Sequence, residues 1–223
     1  MEGSTIGDKQ LDPNQVSELA KILGVLHKTT SKIPNDLIKI QTREDFNIDF
    51  SEYLSSFIYN ELDNKDDALF EIVKPHTDTL LEKIERMRYL SNTLKNKPHQ
   101  FVLSHADAHN WNLMQGSNLI LIDWECVKLA PAEQDLILTI TEPYAGDFLS
   151  EYRKYMKYDS PDLDVFEFYS LKRKLEDIWE WIKDLRYEGL VKSEEVTLKF
   201  LKLSLDGLQT DRIREKIQNI FKK

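Results

Sequence analysis

Helical periodicity dominates the chain on either side of a short central stretch. Residues 1–11 are polar, contain two glycines and are interpreted as a linker. Asp12 as N-cap, with Pro13 at the first helical position, then predicts a helix that ends near His27. Apolar residues at spacings of three and four predict further helices over residues 50–62, 68–94, 131–138, 146–158, 162–185, 193–205 and 211–221. Pro75 is expected to be a kink or boundary in the stretch 68–94.

The central stretch, residues 101–125, has a different pattern. A short apolar run at 101–103 precedes a polar loop at 104–112, and a turn at 115–118 precedes a second apolar run at 119–122. Two short strands joined in this way predict a hairpin that brings its two ends together. The fold class is therefore predicted to be mainly α with small central β-hairpins, an α+β chain.

The polar residues of this stretch follow the pattern H-x-D-x-x-x-x-N and then I-D-W-E. The predicted hairpin presents His105, Asp107 and Asn112 at one end and Asp123 at the other. Phosphoryl transfer needs a carboxylate that accepts the proton of an attacking hydroxyl, and oxygen ligands for Mg²⁺ on the nucleotide phosphates. Asp107 suits the first task, and Asn112 with Asp123 suits the second. The plainer alternative is a polar turn whose side chains only cap loop backbone groups.

The same spacing occurs in protein kinases, but the local sequence differs from theirs. Ala106 stands where a protein kinase has Arg, and Trp124-Glu125 follows the second Asp in place of Phe-Gly. With these two differences, the stretch resembles aminoglycoside phosphotransferases and related small-molecule kinases. The continuation LAPAEQDL, residues 129–136, is similar to that of spectinomycin-type phosphotransferases.

This resemblance implies roles for individual residues. Asp107 would be the catalytic base with His105 supporting its loop, and Asn112 and Asp123 would hold Mg²⁺. ATP and Mg²⁺ would be the cofactors, and a small cationic hydroxylated molecule such as an aminoglycoside antibiotic would be the acceptor, so that the activity would confer antibiotic resistance. Asp135 would brace the catalytic loop; alternatively, it only complements the dipole of its helix from the first turn.

Two further places are candidates for substrate binding. Asn110 lies in the predicted catalytic loop and could touch substrate, although a loop-capping role fits its position better. Trp179 and Glu180 combine an aromatic face with a carboxylate, which could bind an amine by cation–π and ionic contacts. The same stripe is also typical of a plain helix core.

The family resemblance extends over the chain but omits one part of a complete kinase. Residues 1–99 contain neither a glycine-rich phosphate loop nor a V-A-I-K-like strand. The resemblance therefore implies that residues 12–223 are the C-terminal, catalytic and substrate lobe of a protein-kinase-like fold. Residues 1–11 would be a linker remnant, the N-terminal lobe would be absent, and the isolated chain would be inactive.

Two alternatives to a self-sufficient enzyme follow from this expectation. The chain could be a catalytically incomplete lobe that binds a ligand or a partner, the partner being a separate small-lobe polypeptide or a second copy. It could also be a truncated fragment of a longer kinase.

Composition restricts the partners and the compartment. The net charge of −9 argues against a nucleic-acid partner, and it is compatible with a cationic substrate or with an ordinary acidic protein. A single cysteine excludes an intramolecular disulfide and suits a reducing compartment. The N-terminus has no signal-peptide pattern, and no apolar run reaches membrane-spanning length. We therefore expect a cytoplasmic protein that binds neither nucleic acid nor membrane.

Overall fold

A computed structural model describes most of the chain, namely residues 3–34, 36–37, 42–62, 68–188, 192–209 and 212–222. The chain forms two compact units, each built from separate stretches of sequence. Unit 1 comprises Met1–Asp45, Pro98–Phe166 and Arg214–Lys223, and unit 2 comprises Phe46–Lys97 and Glu167–Ile213.

Helices make up most of the described residues, as the periodicity predicts. In chain order they are α1 (Pro13–Thr29), α2 (Phe50–Asn60), α3 (Ala68–Val73), α4 (Thr77–Lys95), α5 (Glu133–Ile140), α6 (Ala145–Tyr152), α7 (Leu163–Lys183), α8 (Glu194–Gln209) and α9 (Ile213–Phe221). The strands are β1 (Ser4–Thr5), β2 (Val102–Ser104), β3 (Leu113–Gln115), β4 (Leu119–Leu121) and β5 (Lys128–Ala130). The predicted mainly helical fold with small antiparallel sheets is confirmed.

The first helix begins where its sequence predicts. The Asp12 carboxylate accepts hydrogen bonds from the backbone N–H groups of Asn14 at 2.8 Å and Gln15 at 3.0 Å. In return, the Gln15 side chain accepts the Asp12 N–H at 2.9 Å, which completes a capping box. The apolar stripe of this helix, including Leu19, Ala20 and Leu23, is buried in unit 1.

The strand pairing differs from the predicted hairpin. Strand β2 pairs antiparallel with β5, whereas β4 pairs with β3 across the turn that precedes it. The predicted pairing of the run at 101–103 with the run at 119–122 is therefore wrong. Strands of three residues carry too little alternation to specify their partners from sequence, and the pairing depends on tertiary contacts.

Part of the segment interpreted as a linker is structured. Ser4 and Thr5 pair with Gln115 and Met114 at the edge of the three-stranded sheet β1-β3-β4. Ile6 and Leu11 are buried in unit 1. The segment therefore contributes an edge strand and two core side chains next to the central hairpin.

Unit 2 is built from helices α2, α3, α4, α8 and most of α7. Its core includes Leu54, Phe57, Leu80, Ile84, Met87, Leu90, Phe168, Leu175, Ile178, Leu201 and Leu205. Pro75 lies in a 3₁₀ turn, Lys74–His76, which separates α3 from α4, as its predicted role at a boundary requires. The predicted helix start at residue 211 lies outside the described residues. None of the described helices combines the length and the apolar character needed to cross a membrane.

Candidate active site

The candidate catalytic loop, residues 105–112, lies in unit 1 between the end of β2 and the start of β3. Ala106 has a φ of 69°, in the left-handed region that costs a non-glycine residue roughly 1 kcal/mol or more. The Asp135 carboxylate holds this strained backbone, because it accepts the N–H of Ala106 at 2.6 Å and that of His105 at 2.9 Å. These contacts support the predicted bracing role of Asp135.

His105 lies fully buried behind the loop. Its Nδ1 accepts the backbone N–H of Asp107 at 3.3 Å, and its Nε2 lies 3.0 Å from the carbonyl oxygen of Ile122. The Trp124 indole packs edge-on against the imidazole, with 4.7 Å between ring centroids. An acceptor at Nδ1 and a donor at Nε2 specify one neutral tautomer. His105 therefore ties the backbone of Asp107 to the end of β4.

Asp107 and Asn112 are in direct contact. The Asn112 side-chain amide donates to the Asp107 backbone carbonyl at 2.9 Å and to the Asp107 carboxylate at 3.1 Å. His109, which the sequence prediction missed, places Nε2 3.3 Å from the same carboxylate oxygen. Its Nδ1 is buried and has no hydrogen-bond partner among the residues that the structure describes. The only sequence signal for His109 is its position two residues after Asp107.

Asp123 follows β4 and is exposed, with a φ of 63°. The preceding residue, Ile122, donates its N–H to the Asn112 carbonyl at 2.9 Å, and its own carbonyl faces His105. The backbone of Ile122 thus joins both sides of the predicted site. The structure therefore joins His105, Asp107 and Asn112 in one connected cluster, and Asp123 directly follows the residue whose backbone contacts His105 and Asn112.

The donor groups at this mouth fit one particular kind of cation. An amide oxygen of Asn112 and a carboxylate of Asp123 are hard oxygen donors, and Mg²⁺ in nucleotide sites takes its other ligands from phosphates and water. Across the described ranges, no group of three or more His, Cys, Asp or Glu side chains could hold a metal ion. Asn112 and Asp123 are therefore the residues of this loop and hairpin that could hold such a cation.

A buried polar chain continues behind Asp135. His27 Nε2 lies 2.9 Å from the Asp135 carboxylate, and His27 Nδ1 lies 2.6 Å from the Tyr152 hydroxyl. All three side chains are almost fully buried, and burial raises the pKa of the Tyr152 hydroxyl well above its usual range. The two histidine contacts span 108 and 125 residues of sequence, so no local pattern could reveal them.

The predicted substrate residues lie in different surroundings. The Asn110 side chain donates to the carbonyl of Lys9 at 3.0 Å, which favours the loop-capping interpretation. In unit 2, Trp179 is 9% exposed and stacks on Tyr53 with 6.3 Å between centroids. Glu180 is largely exposed and pairs with Lys183 at 2.8 Å. Trp179 is therefore mainly a core residue that presents a small edge beside an exposed carboxylate.

Comparison with known protein families identifies the class of this chain. The family model described as "Phosphotransferase enzyme family" matches residues 1–186, and the chain belongs to that family. No curated protein sequence matches the chain significantly.

Solved structures support the same fold. The chain is similar to a spectinomycin phosphotransferase in complex with ADP and spectinomycin, at a TM-score of 0.78 and 22% identity, over 97% of this chain and 70% of that one. For an AMP-bound complex of that phosphotransferase, the TM-score is 0.74 and the identity 22%, over 95% of this chain and 71% of that one. For an ethanolamine kinase from Plasmodium vivax, the TM-score is 0.63 and the identity 15%, over 97% of this chain and 65% of that one. At these identities the likeness shows a shared kinase-like fold.

Proposed function

We propose that this chain carries the catalytic site of an ATP-dependent phosphotransferase that phosphorylates a hydroxyl of a small cationic molecule. The observation that supports the proposal is the connected cluster of His105, Asp107 and Asn112, with Asp123 one residue after the Ile122 backbone that contacts it. Asp107 is the general base, and Asn112 and Asp123 are the ligands of Mg²⁺. Membership of the phosphotransferase family supports this reaction class independently of the geometry.

The reaction is a direct transfer. The acceptor oxygen forms a bond to the γ-phosphorus of ATP, the bond from that phosphorus to the β–γ bridging oxygen breaks, and ADP leaves with the electron pair. The hydroxyl proton passes to the Asp107 carboxylate, which Asn112 holds through its side-chain amide. Bound Mg²⁺ would neutralise charge that develops on the phosphate oxygens. His105 keeps the loop backbone in place.

His109 adds a positioning role that the sequence prediction lacked. Its Nε2 faces the same oxygen of Asp107 that Asn112 contacts. The Asn112 hydrogen bond and the nearby His109 imidazole at one carboxylate oxygen would restrict rotation of the carboxylate. The other oxygen of Asp107 is the proposed proton acceptor.

The acceptor class rests on charge and on relatives. A spectinomycin phosphotransferase and an ethanolamine kinase share the fold, and both names refer to amine-bearing acceptors. The net charge of −9 favours cations over anions in the surrounding solution. The amine contact that the sequence predicts for Trp179 and Glu180 stays a prediction. We place the activity in the cytoplasm, where ATP is available and the single exposed Cys126 stays reduced.

A second candidate function is a lobe that binds without catalysis. The indoles of Trp111 and Trp124 are 57% and 42% exposed beside the catalytic loop, and exposed aromatic groups favour a partner surface. In this version residues 12–223 act as a kinase-like C-terminal lobe that joins a small-lobe polypeptide or a second copy. Calorimetric titration with ATP and Mg²⁺ separates the two: micromolar nucleotide affinity supports the enzyme, and an absence of binding supports the partner-dependent lobe.

The catalytic assignment is tested by Asp107→Asn. Transfer of labelled γ-phosphate from ATP to spectinomycin, choline or ethanolamine should fall by a factor of about 10² or more, because the proton acceptor is lost. The thermal unfolding midpoint should stay close to that of the parent chain. Asp147→Asn, an exposed aspartate on α6, is the matched control and should keep full activity. Undiminished transfer by Asp107→Asn would exclude the assigned role.

A further inference from the structure

A second concave site lies in unit 1, beside the start of β2. It is a cavity of about 540 Å³, between the segment that leads into β2, the start of α5 and the chain after α6. The catalytic loop leaves from the other end of β2, and none of its residues lines this cavity. The volume lies within the range of roughly 300–1,000 Å³ that is typical of small-molecule sites.

The wall of this cavity contains a buried carboxylate, Glu133. Only 7% of the residue is exposed. One oxygen, Oε1, accepts the Tyr158 O–H at 2.7 Å and the backbone N–H of Asp162 at 3.2 Å. Desolvation by burial nevertheless raises the pKa of Glu133 above its ordinary value. Two neutral donors therefore hold the carboxylate in place without offsetting its lost hydration.

Glu133 has no cationic partner among the described side chains. Buried carboxylates in proteins are normally paired with a base or a metal. Of the basic groups that line the cavity, Lys157 extends into solvent, at 89% side-chain exposure, and lies 3.6 Å from Asp159. His99 instead stacks on Phe101, with 6.1 Å between the ring centroids. The cavity wall thus holds a buried carboxylate to which no described side chain supplies a positive charge.

The remaining wall shows what kind of cation fits. Val102, Met156 and Val165 supply an apolar surface, and Asp162 adds a second carboxylate. The Asp162 side chain also caps α7, since its Oδ1 accepts the N–H groups of Asp164 and Val165. An inorganic ion would leave the apolar wall unused, whereas an alkyl-ammonium group matches both surfaces.

We propose that this cavity binds a small organic cation, with its ammonium group on the Glu133 carboxylate and its methylene chain on Met156, Val102 and Val165. The site is separate from the catalytic loop and does not depend on the proposed phosphotransferase activity. It would give the protein a second ligand of the same charge class as the proposed acceptor, at a different place.

The test uses the full chain with ¹³C-methyl-labelled methionine. The probe is 1,4-diaminobutane, and the matched neutral control is 1,4-butanediol. Met156 lies in the cavity wall, whereas Met114 lies in β3 of the catalytic hairpin, so the two methyl signals report on different sites. We expect a saturable shift of the Met156 signal with the diamine, no shift with the diol, and an unchanged Met114 signal.

Two variants make the result specific. Glu133→Gln keeps an oxygen that accepts from Tyr158 and Asp162 but removes the charge, so the dissociation constant of the diamine should rise about tenfold or more. Ser160→Trp, at an exposed residue of the cavity wall, should block the same shift without altering the core, and Ser160→Ala should leave it unchanged. Asp107→Asn should also leave the Met156 response unchanged, which separates this site from the catalytic one.

The proposal is overturned by either of two results. One is an equal response of Met156 to the diamine and the diol. The other is an unchanged diamine affinity in Glu133→Gln or in Ser160→Trp. Should Glu133→Gln fail to fold, the Ser160 pair alone decides the question.

Discussion

Asp135 is the residue that connects the candidate catalytic loop to the buried polar groups behind it. It accepts two backbone N–H groups of the catalytic loop and faces the imidazole of His27. These three contacts use both of its oxygens and stabilise the left-handed backbone of Ala106. The alternative role, complementing the dipole of α5, accounts for none of these contacts.

Asp135→Asn is expected to lower the free energy of unfolding by about 3 kcal/mol. Asparagine has one side-chain oxygen, so its NH₂ group would face at least one of the groups that now contact a carboxylate oxygen of Asp135. A buried backbone N–H would then lose its acceptor. Urea unfolding followed by circular dichroism measures the change, with Asp147→Asn as the exposed control. A loss of about 1 kcal/mol or less would match a helix-dipole effect and contradict the bracing role.

Among the elements, α1 and α6 pack together directly behind Asp135. His27 near the end of α1 contacts Tyr152 at the end of α6, and this pair stands behind Asp135. Gly24, one turn earlier on α1, allows the close approach. A Cβ atom there would lie 2.8 Å from the Cβ of Tyr155 and 3.3 Å from the carbonyl oxygen of Tyr152.

Gly24→Ala should therefore destabilise the protein, although alanine is the better helix former by about 1 kcal/mol. The added methyl group meets a rigid Cβ and a backbone carbonyl, and we expect a net loss of about 1–2 kcal/mol in the free energy of unfolding. Gly146→Ala, on α6 with open space around it, serves as control and should stabilise by up to about 1 kcal/mol. Equal effects of the two substitutions in chemical denaturation would contradict the close approach.

At the scale of the whole molecule, the net charge is the property that bears most directly on binding of the proposed cationic acceptor. The chain has 39 acidic and 30 basic side chains, which gives the net charge of −9. Such a charge raises the local concentration of cations near the protein, and added salt screens it over a Debye length of about 10 Å at 0.1 M. Acceptor binding should therefore depend on ionic strength.

The dissociation constant of spectinomycin, which carries protonated amines at neutral pH, should rise several-fold between 20 and 200 mM NaCl. Calorimetric titration measures this change. The neutral polyol myo-inositol is the control, and any binding of it should be nearly independent of salt. A salt-independent affinity for spectinomycin would remove the electrostatic argument for a cationic acceptor.

Local rules in the sequence determined much of this protein. The capping box of Asp12 and Gln15, the apolar stripes and Pro75 specify where helices begin and end, because each signal involves neighbours within about four residues. The spacing of His105, Asp107, Asn112 and Asp123 also indicated the candidate site. A short loop and a short hairpin leave these residues few ways of lying far apart.

Only the tertiary structure decided which strands pair and what stands behind the loop. Strand β2 pairs with β5, and His27 contacts Asp135 across 108 residues of sequence. Both contacts arise from the packing of whole elements, which no local pattern encodes. The burial of Glu133 is likewise not encoded locally, because the sequence indicates only an acidic residue in the first turn of a helix. Its burial against Tyr158 arises when the chain after α6 folds back, and desolvation then changes its chemistry.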